Sequence, residues 1–173
     1  MKFIDKLETD RCTLKLLCLE DIEEASELFT NPETRKYLGG AIPREYALNR
    51  LTRSINKKNI FYFWSVYYCV RLKDTGEFIG MISIGPYHNY LYKELSYQFL
   101  PDFWGNGYAY ETINSLIQHY KFSHLASETQ SANLKSCSLL EKLGYKLHKK
   151  LERFGCEQSV YVLKKVSRDK PLL

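Results

Sequence analysis

The sequence predicts a mixed α/β (α+β) fold, in which about four helices flank a mostly antiparallel central sheet of about seven strands. Three observations support this prediction. Residues 63–100 alternate apolar and polar side chains in three strand-length runs that are separated by turn-forming residues. Residues 109–120 instead repeat apolar side chains at helical spacing, and the C-terminal third returns to alternation. The predicted order of elements is β, α, α, β, β, β, α, β, α, β, β.

The N-terminal half is predicted to contain four strands and two helices. Leucines alternate on one face of a first strand over residues 11–19. Asp21 is expected to cap the first helix, and a second helix is expected after Pro43. The next three strands are expected at residues 64–72, 77–84 and 91–100. An Asp-x-Gly turn at residues 73–76 is expected to join the first two of these as a hairpin.

The C-terminal half is predicted to contain two helices and three strands. An amphipathic helix over residues 109–120 leads into a short strand near residues 125–130. A further helix runs from residue 133 or 134 to Leu143, and Gly144 is well placed directly after its C-terminus. Two alternating strands are then expected at residues 145–153 and 158–165.

Size and composition predict a single domain over residues 1–173, because no repeat, low-complexity tract or flexible linker divides the chain. The charged N-terminus lacks the apolar run of a signal peptide, and no stretch approaches the roughly 20 apolar residues of a membrane span. We therefore expect a cytoplasmic protein without a membrane partner. The five cysteines and four histidines show no metal-ligand spacing, and no metal site is expected.

The net charge of +5 raises the question of an anionic partner. The 25 lysines and arginines are spread along the chain among 20 acidic residues, and they form no concentrated basic stripe. Nucleic-acid-binding domains usually concentrate their cations on one face or along one helix. The charge distribution therefore argues against nucleic acid as a partner, and it suits an anionic cofactor.

Two glycines, Gly105 and Gly107, stand between the predicted strand at residues 91–100 and the helix at 109–120. Glycines at this place let the backbone approach a ligand, and the helix N-terminus directs unpaired N–H groups at an anion. A tight turn without a ligand is the alternative. A dinucleotide fingerprint needs a third glycine where the chain has Tyr110, and a Walker A motif is absent. The predicted anion therefore belongs to another class.

Two longer stretches resemble the paired signatures of the GNAT superfamily of N-acetyltransferases. They are ELSYQFLPDFWGNGYAYE at residues 94–111 and NLKSCSLLEKLGY at residues 133–145. The sequence of these stretches is most similar to the branch of ribosomal-protein-alanine N-acetyltransferases (RimJ/RimL type), which also shares the opening LETDRCTLKLL. The resemblance covers nearly the whole chain and is weakest at residues 42–62. It implies a GNAT-like sheet whose fourth and fifth strands, counted in the predicted order, are splayed apart to admit pantetheine.

The resemblance further implies that the glycine loop binds the pyrophosphate of acetyl-CoA, the cosubstrate, through backbone amides. The implied cofactor-binding residues are Trp104, Gly105, Asn106, Gly107, Tyr108 and Ala109, preceded by Phe99 and Leu100 at the end of the strand. The superfamily usually begins this loop with Arg or Gln, whereas this chain has Asp102. Phosphate binding should therefore depend more on amides and on the helix dipole.

Glu94 is the candidate general base. Alternation places Glu94, Ser96 and Gln98 on one face of the predicted fourth strand, and Leu95, Tyr97 and Phe99 on the other. The family resemblance implies the same glutamate, acting directly or through water. A carboxylate of ordinary pKa is a weak base for an ammonium, so burial or an anionic neighbour must raise its pKa. A solvated charge at the end of a strand is the alternative interpretation.

The resemblance also assigns roles to two polar residues near the start of the last helix. Asn133 would bind pantetheine and cap the helix, and Ser136 would lie near the sulfur and protonate the leaving thiolate. The alternative is that both residues only cap the helix. On the predicted fifth strand, Glu128 either attracts a cationic acceptor or lies on an exposed edge.

These observations predict an acetyl-CoA-dependent N-acetyltransferase that transfers the acetyl group to a primary amine by direct attack in a ternary complex. No cysteine is placed as an obvious nucleophile. The acceptor is either a protein N-terminus, as in the resembled branch, or a small-molecule amine. A non-catalytic acyl-CoA-binding regulatory module is the alternative function. We expect a monomer or a homodimer.

Overall fold

A computed structural model describes residues 4–56, 65–88, 92–122 and 124–164, and it confirms the mixed α/β fold class. The strands are β1 (Lys6–Glu8), β2 (Cys12–Leu16), β3 (Val66–Leu72), β4 (Phe78–Pro86), β5 (Lys93–Phe99), β6 (His124–Gln130), β7 (Lys146–Arg153) and β8 (Cys156–Lys164). The α-helices are α1 (Ile22–Thr30), α2 (Pro32–Arg35), α3 (Arg44–Asn56), α4 (Tyr108–Tyr120) and α5 (Leu134–Lys142). Within these ranges, no helix is both long and apolar enough to cross a bilayer.

The eight strands form one sheet in the order β1-β2-β3-β4-β5-β6-β8-β7. Every pair of neighbouring strands is antiparallel except β5 and β6, which run parallel because α4 carries the chain across between them. The predicted mostly antiparallel sheet is therefore confirmed. The parallel pair lies inside the sheet, with strands on both sides of it.

The structure adds one strand and one helix to the predicted order. Strand β1 has three residues and pairs with β2, with Leu7 opposite Leu14. Helix α2 begins at Pro32 and has four residues. It is too short to show a helical repeat in the sequence. Three predicted strand limits, Trp64, Leu91 and Lys165, lie outside the described residues.

Helices cover both faces of the sheet, and each face has its own apolar core. On one face α4 and α5 pack on residues that include Tyr68, Ile82, Leu95 and Phe99. On the other face α1 and α3 pack on β3 and β4; the members of that core include Leu17, Leu28, Phe29, Leu51, Cys69 and Met81. Alternation along each strand therefore determines whether a side chain points to α4 and α5 or to α1 and α3.

Two turn predictions are confirmed by backbone geometry. Gly76 has φ +74° in the hairpin between β3 and β4, and its N–H donates to the Leu72 carbonyl at 3.0 Å. Gly144 has φ +89° directly after α5, and its N–H donates to the Glu141 carbonyl at 2.9 Å. Both positions need a residue that tolerates positive φ.

The prediction that Asp21 caps α1 with its side chain is wrong. Asp21 precedes the helix, but its carboxylate accepts no hydrogen bond from the first turn of α1. One oxygen accepts from the guanidinium of Arg71 at 2.9 Å, and the other accepts from the Cys18 N–H at 3.1 Å. The carboxylate therefore ties α1 to β3, a contact across 50 residues that a local capping pattern does not show.

Gly80 on β4 has no room for a side chain against the neighbouring strand β5. A Cβ added there would lie 2.6 Å from the Gln98 carbonyl oxygen and 2.6 Å from the Phe99 ring. We expect Gly80→Ala to lower the free energy of unfolding by about 1–3 kcal/mol, because the β5 backbone must shift. Chemical denaturation measures this change, and an unchanged midpoint would show that β5 yields freely.

Candidate active site

The site forms where β5 and β6 separate. Among the described residues, the two strands pair only through Lys93 with Leu125 and Glu94 with Ala126. Just beyond these pairs, the Ser127 hydroxyl donates to the Leu95 carbonyl at 2.7 Å. The rest of β6 pairs on its other side with β8, and the rest of β5 pairs with β4. The predicted splay of these strands is confirmed, and it leaves the facing backbone edges open beyond the Ser127 contact.

Glu94 lies at the last paired position of β5, largely buried. Burial is the main cause that raises its pKa, and the nearby carboxylate of Glu128 raises it further. The guanidinium of Arg153 and the Ser96 hydroxyl act in the opposite direction, and the resulting pKa is about 7. Burial and an anionic neighbour, the two effects that raise the pKa of a carboxylate toward that of a useful general base, are therefore both present at Glu94.

Glu128 on β6 lies inside a hydrogen-bonded cluster. Arg153 Nη1 contacts both carboxylate oxygens, at 3.1 and 2.9 Å, and the Tyr87 hydroxyl donates to Oε2 at 2.8 Å. The Glu128 side chain is only 7% exposed. The exposed-edge interpretation of this residue is therefore wrong, and its cationic partner is an arginine of the same chain.

A small pocket lies on the Glu94 side of the sheet. It is a shallow depression that is open to solvent, and its lining residues are Tyr67, Met81, Ser83, Ser96, Tyr97 and Gln98. None of these side chains is charged. Gln98 Oε1 is buried and accepts no hydrogen bond from the described part of the chain, so a hydrogen-bond acceptor is available beside the pocket.

Tyr97 and Ser136 meet on the opposite side of β5. Their hydroxyl oxygens are 2.8 Å apart, and burial raises the pKa of Tyr97 to about 12. Asn133 Oδ1 accepts from the Ser136 N–H at 3.2 Å, which establishes Asn133 as the N-cap of α5. Sequence reasoning assigned Tyr97 only to packing, because its neighbours Leu95 and Phe99 are apolar.

The glycine loop has the conformation of an anion cradle. Gly105 and Gly107 have φ +79° and +83°, and a Cβ added at Gly105 would meet nothing within 4 Å. The backbone N–H groups of residues 105–110 donate no hydrogen bond to the other residues that the structure describes. The first such bond of the turn runs from the Glu111 N–H to the Gly107 carbonyl at 3.0 Å. These free donors fit a pyrophosphate at the N-terminus of α4.

Two cations flank the loop that begins with Asp102. Arg11 Nη1 donates to the Asn106 carbonyl at 3.0 Å, its Nε bonds to Glu111 at 2.7 Å, and its guanidinium lies 4.4 Å from the Tyr108 ring centroid. Lys135 Nζ lies 5.3 Å from the centre of the Trp104 ring. The sequence did not identify Arg11, because its contacts lie about 100 residues along the chain.

The other predicted cofactor residues also have structural roles. Phe99 is 5% exposed and packs in the core, and its carbonyl accepts from the Trp104 indole N–H at 2.7 Å. The Leu100 N–H donates to the Ile79 carbonyl at 2.9 Å. Ala109 packs against the apolar core on the face of the sheet that α4 and α5 cover. Cofactor binding by Phe99 and Leu100 remains a prediction, since two of their backbone groups already have partners.

Glu94 makes the stability of the fold depend on pH. Its pKa is about 7 in the folded protein and about 4.5 in an unfolded chain, so the unfolded state loses this proton first and stability falls as pH rises from 4.5 to 7. We expect Glu94→Gln to remove this loss. The difference in Tm between variant and wild type should therefore grow in favour of the variant across this range. A difference that stays constant with pH contradicts the buried carboxylate.

Comparison with known proteins agrees with this geometry. Residues 11–146 match the family model described as an acetyltransferase (GNAT) domain. The chain is 29% identical over 165 residues to the uncharacterized protein YkkB of Bacillus subtilis (strain 168), covering 90% of this chain and 94% of YkkB. It is 28% identical over 152 residues to the uncharacterized N-acetyltransferase YoaA of the same organism, covering 80% and 81% of the two chains.

A solved structure shares the fold at low sequence identity. The ribosomal L7/L12 α-N-protein acetyltransferase RimL, in complex with coenzyme A, superposes with a TM-score of 0.78 and 14% identity. The match covers 92% of this chain and 97% of RimL. Because the family model spans most of the sequence, the chain belongs to the GNAT family of acetyltransferases.

Proposed function

We propose that this N-acetyltransferase moves the acetyl group of acetyl-CoA directly to a primary amine, with Glu94 as the general base. One observation carries the proposal: Glu94 is largely buried at the point where β5 and β6 separate, with a pKa of about 7. A base whose pKa lies near neutral pH is half deprotonated there and still accepts a proton effectively.

The cofactor is proposed to extend from the glycine loop into the gap between the strands. Residues 104–109 would hold the pyrophosphate through the free N–H groups, and Arg11 and Lys135 would add positive potential beside them. The open edges of β5 and β6 suit pantetheine, whose amides can pair with a strand. The Asn133 side chain at the start of α5 would contact the same arm.

The amine attacks in its neutral form, and the two proton transfers that accompany acetyl transfer each have a proposed protein group. When bound, acetyl-CoA supplies the thioester that the amine nitrogen attacks and the thiolate that leaves. Glu94 takes the proton that the nitrogen must lose as the C–N bond forms. The hydroxyls of Ser136 and Tyr97, 2.8 Å apart, would protonate the thiolate as the C–S bond breaks. The products are an amide and a free thiol.

Three of the five cysteines, Cys12, Cys18 and Cys69, are poor candidates for a covalent intermediate. Burial raises the pKa of Cys12 to about 11, and the carboxylates near Cys18 raise its pKa to about 11 as well. Burial also raises the pKa of Cys69. Nucleophilic cysteines need a lowered pKa or an adjacent base. None of these three thiols has a lowered pKa, although Cys18 contacts a carboxylate, that of Asp21, at 3.0 Å.

The acceptor amine is proposed to lie in the pocket beside Glu94. Hydrogen bonds to uncharged groups next to the amine are offered by the hydroxyls of Ser83 and Ser96 and by Gln98 Oε1, which has no partner among the described residues. Such a pocket suits a protein N-terminus, the acceptor class of the RimJ/RimL-type branch, and it also suits a small polar amine. RimL itself is named as an α-N-protein acetyltransferase.

Binding and turnover can be measured separately. Thermal unfolding with increasing acetyl-CoA should show a rising Tm, and release of free CoA thiol should then identify acceptors from a panel of peptides, polyamines and amino sugars. Glu94→Gln should keep the Tm increase and lose about 100-fold or more in kcat/KM. A Tm increase without thiol release from any amine would support the acyl-CoA-binding module instead.

A pair of glycine variants tests the anion cradle. Gly105 and Gly76 have φ +79° and +74°, and neither has an atom within 4 Å of an added Cβ. Gly105→Val and Gly76→Val should therefore lose similar stability, at least about 1–2 kcal/mol each, from the left-handed backbone. Only Gly105→Val should also lose the Tm increase caused by acetyl-CoA, since its side chain enters the cradle. Equal Tm increases in both variants contradict this cradle.

A further inference from the structure

A second carboxylate faces the same side of the sheet as Glu94. Glu94 on β5 pairs with Ala126 on β6, and Glu128 follows Ala126 by two residues. Side chains two residues apart on a strand share a face, so Glu128 and Glu94 point to the same side. The Cα atoms of Ala126 and Glu128 are separated by about 7 Å along β6. The two carboxylates therefore interact electrostatically in a largely buried setting.

The position of Glu128 is fixed by two other elements. Arg153, the last residue of β7, contacts both of its oxygens, and Tyr87, directly after β4, donates its hydroxyl to one of them. Tyr87 is 4% exposed and the Arg153 side chain 28%. Three hydrogen bonds to a nearly buried carboxylate hold it in one place, and they also keep the Arg153 guanidinium at Glu128.

We propose that Glu128 is a positioning residue for acetyl transfer, which sets the proton affinity of Glu94 by its own charge and by retaining Arg153. This inference rests on the proposed role of Glu94 as the general base. The charges that act on Glu94 come from Glu128 on β6 and Arg153 on β7. Tyr87, directly after β4, stays neutral because its pKa is raised to about 12.

The two charges have opposite effects. The carboxylate of Glu128 favours the protonated form of Glu94, whereas the guanidinium of Arg153 favours the ionised form. Removing Glu128 would also release Arg153, which could then pair with Glu94 itself. Removing Arg153 would leave two carboxylates with no cation between them. The two single variants must therefore move the titration of Glu94 in opposite directions.

Carbon-13 NMR of the free protein, labelled at the glutamate carboxyl carbons, measures this titration without cofactor or turnover. The Glu94 signal is the one that disappears in Glu94→Gln. We expect Glu128→Gln to lower the titration midpoint by about 1 pH unit or more, and Arg153→Gln to raise it by about 1 pH unit. The double variant should return toward the wild-type midpoint, because both charges are then absent.

Two further variants separate charge from structure. Arg153→Lys keeps the cation, so its midpoint should stay close to that of the wild type. Glu157→Gln breaks the exposed Lys150–Glu157 pair of the same hairpin, whose atoms are 2.8 Å apart, and it should leave the midpoint unchanged. If Glu128→Gln does not fold, the comparison of Arg153→Gln with Arg153→Lys still decides the question.

Midpoints that move in the same direction in both single variants, or that do not move, overturn the inference. The acid limb of kcat/KM against pH should follow the NMR midpoints in each variant. If the NMR midpoints move as expected while Glu94→Gln keeps full turnover, then Glu128 and Arg153 control the pKa of Glu94, but Glu94 is not the base. The failure of the proposed function is thereby distinguished from the failure of this inference.

Discussion

The separation of β5 from β6 is the constraint on which the rest of the site depends. Two parallel strands inside a sheet would normally pair along their length, yet in the part of the chain that the structure describes these pair at only two positions, the last of them Glu94 with Ala126. Backbone groups beyond that point need another partner, since buried N–H and C=O groups rarely stay unpaired. A ligand with amide groups of its own meets that need, and both the glycine loop and α5 begin at the open end of the gap.

Charged side chains lie at both ends of this gap. The end where the strands still pair holds Glu94 and Glu128, and Glu128 is paired with Arg153. The other end holds the free amides of residues 105–110 with Arg11 and Lys135 beside them, which suit phosphates. The loop thus has cations nearby even though it begins with Asp102. A net charge of +5 spread along the sequence conceals this arrangement, because only the fold brings the charges together.

The parts of the fold that could be predicted are those with a long periodic pattern. Helix α4 and strands β3 to β5 show it clearly, whereas β1 and α2 have three and four residues and show no repeat. The place of Glu94 on β5 was predictable from alternation, whereas its role as the base stays a proposal. The environment of Glu94 was not predictable, because Glu128 and Arg153 lie on strands whose pairing no local pattern specifies. Tyr97 was missed for a related reason: its partner Ser136 is 39 residues away, across the gap.

A crystal structure with coenzyme A bound tests the central claim most directly. The account predicts pyrophosphate on the amides of residues 105–110 and pantetheine between β5 and β6, with the sulfur facing Ser136. The strands should keep their separation, and the Glu94 side of the sheet should remain open for the amine. Coenzyme A bound away from this gap, or strands that close along their length, would contradict the account.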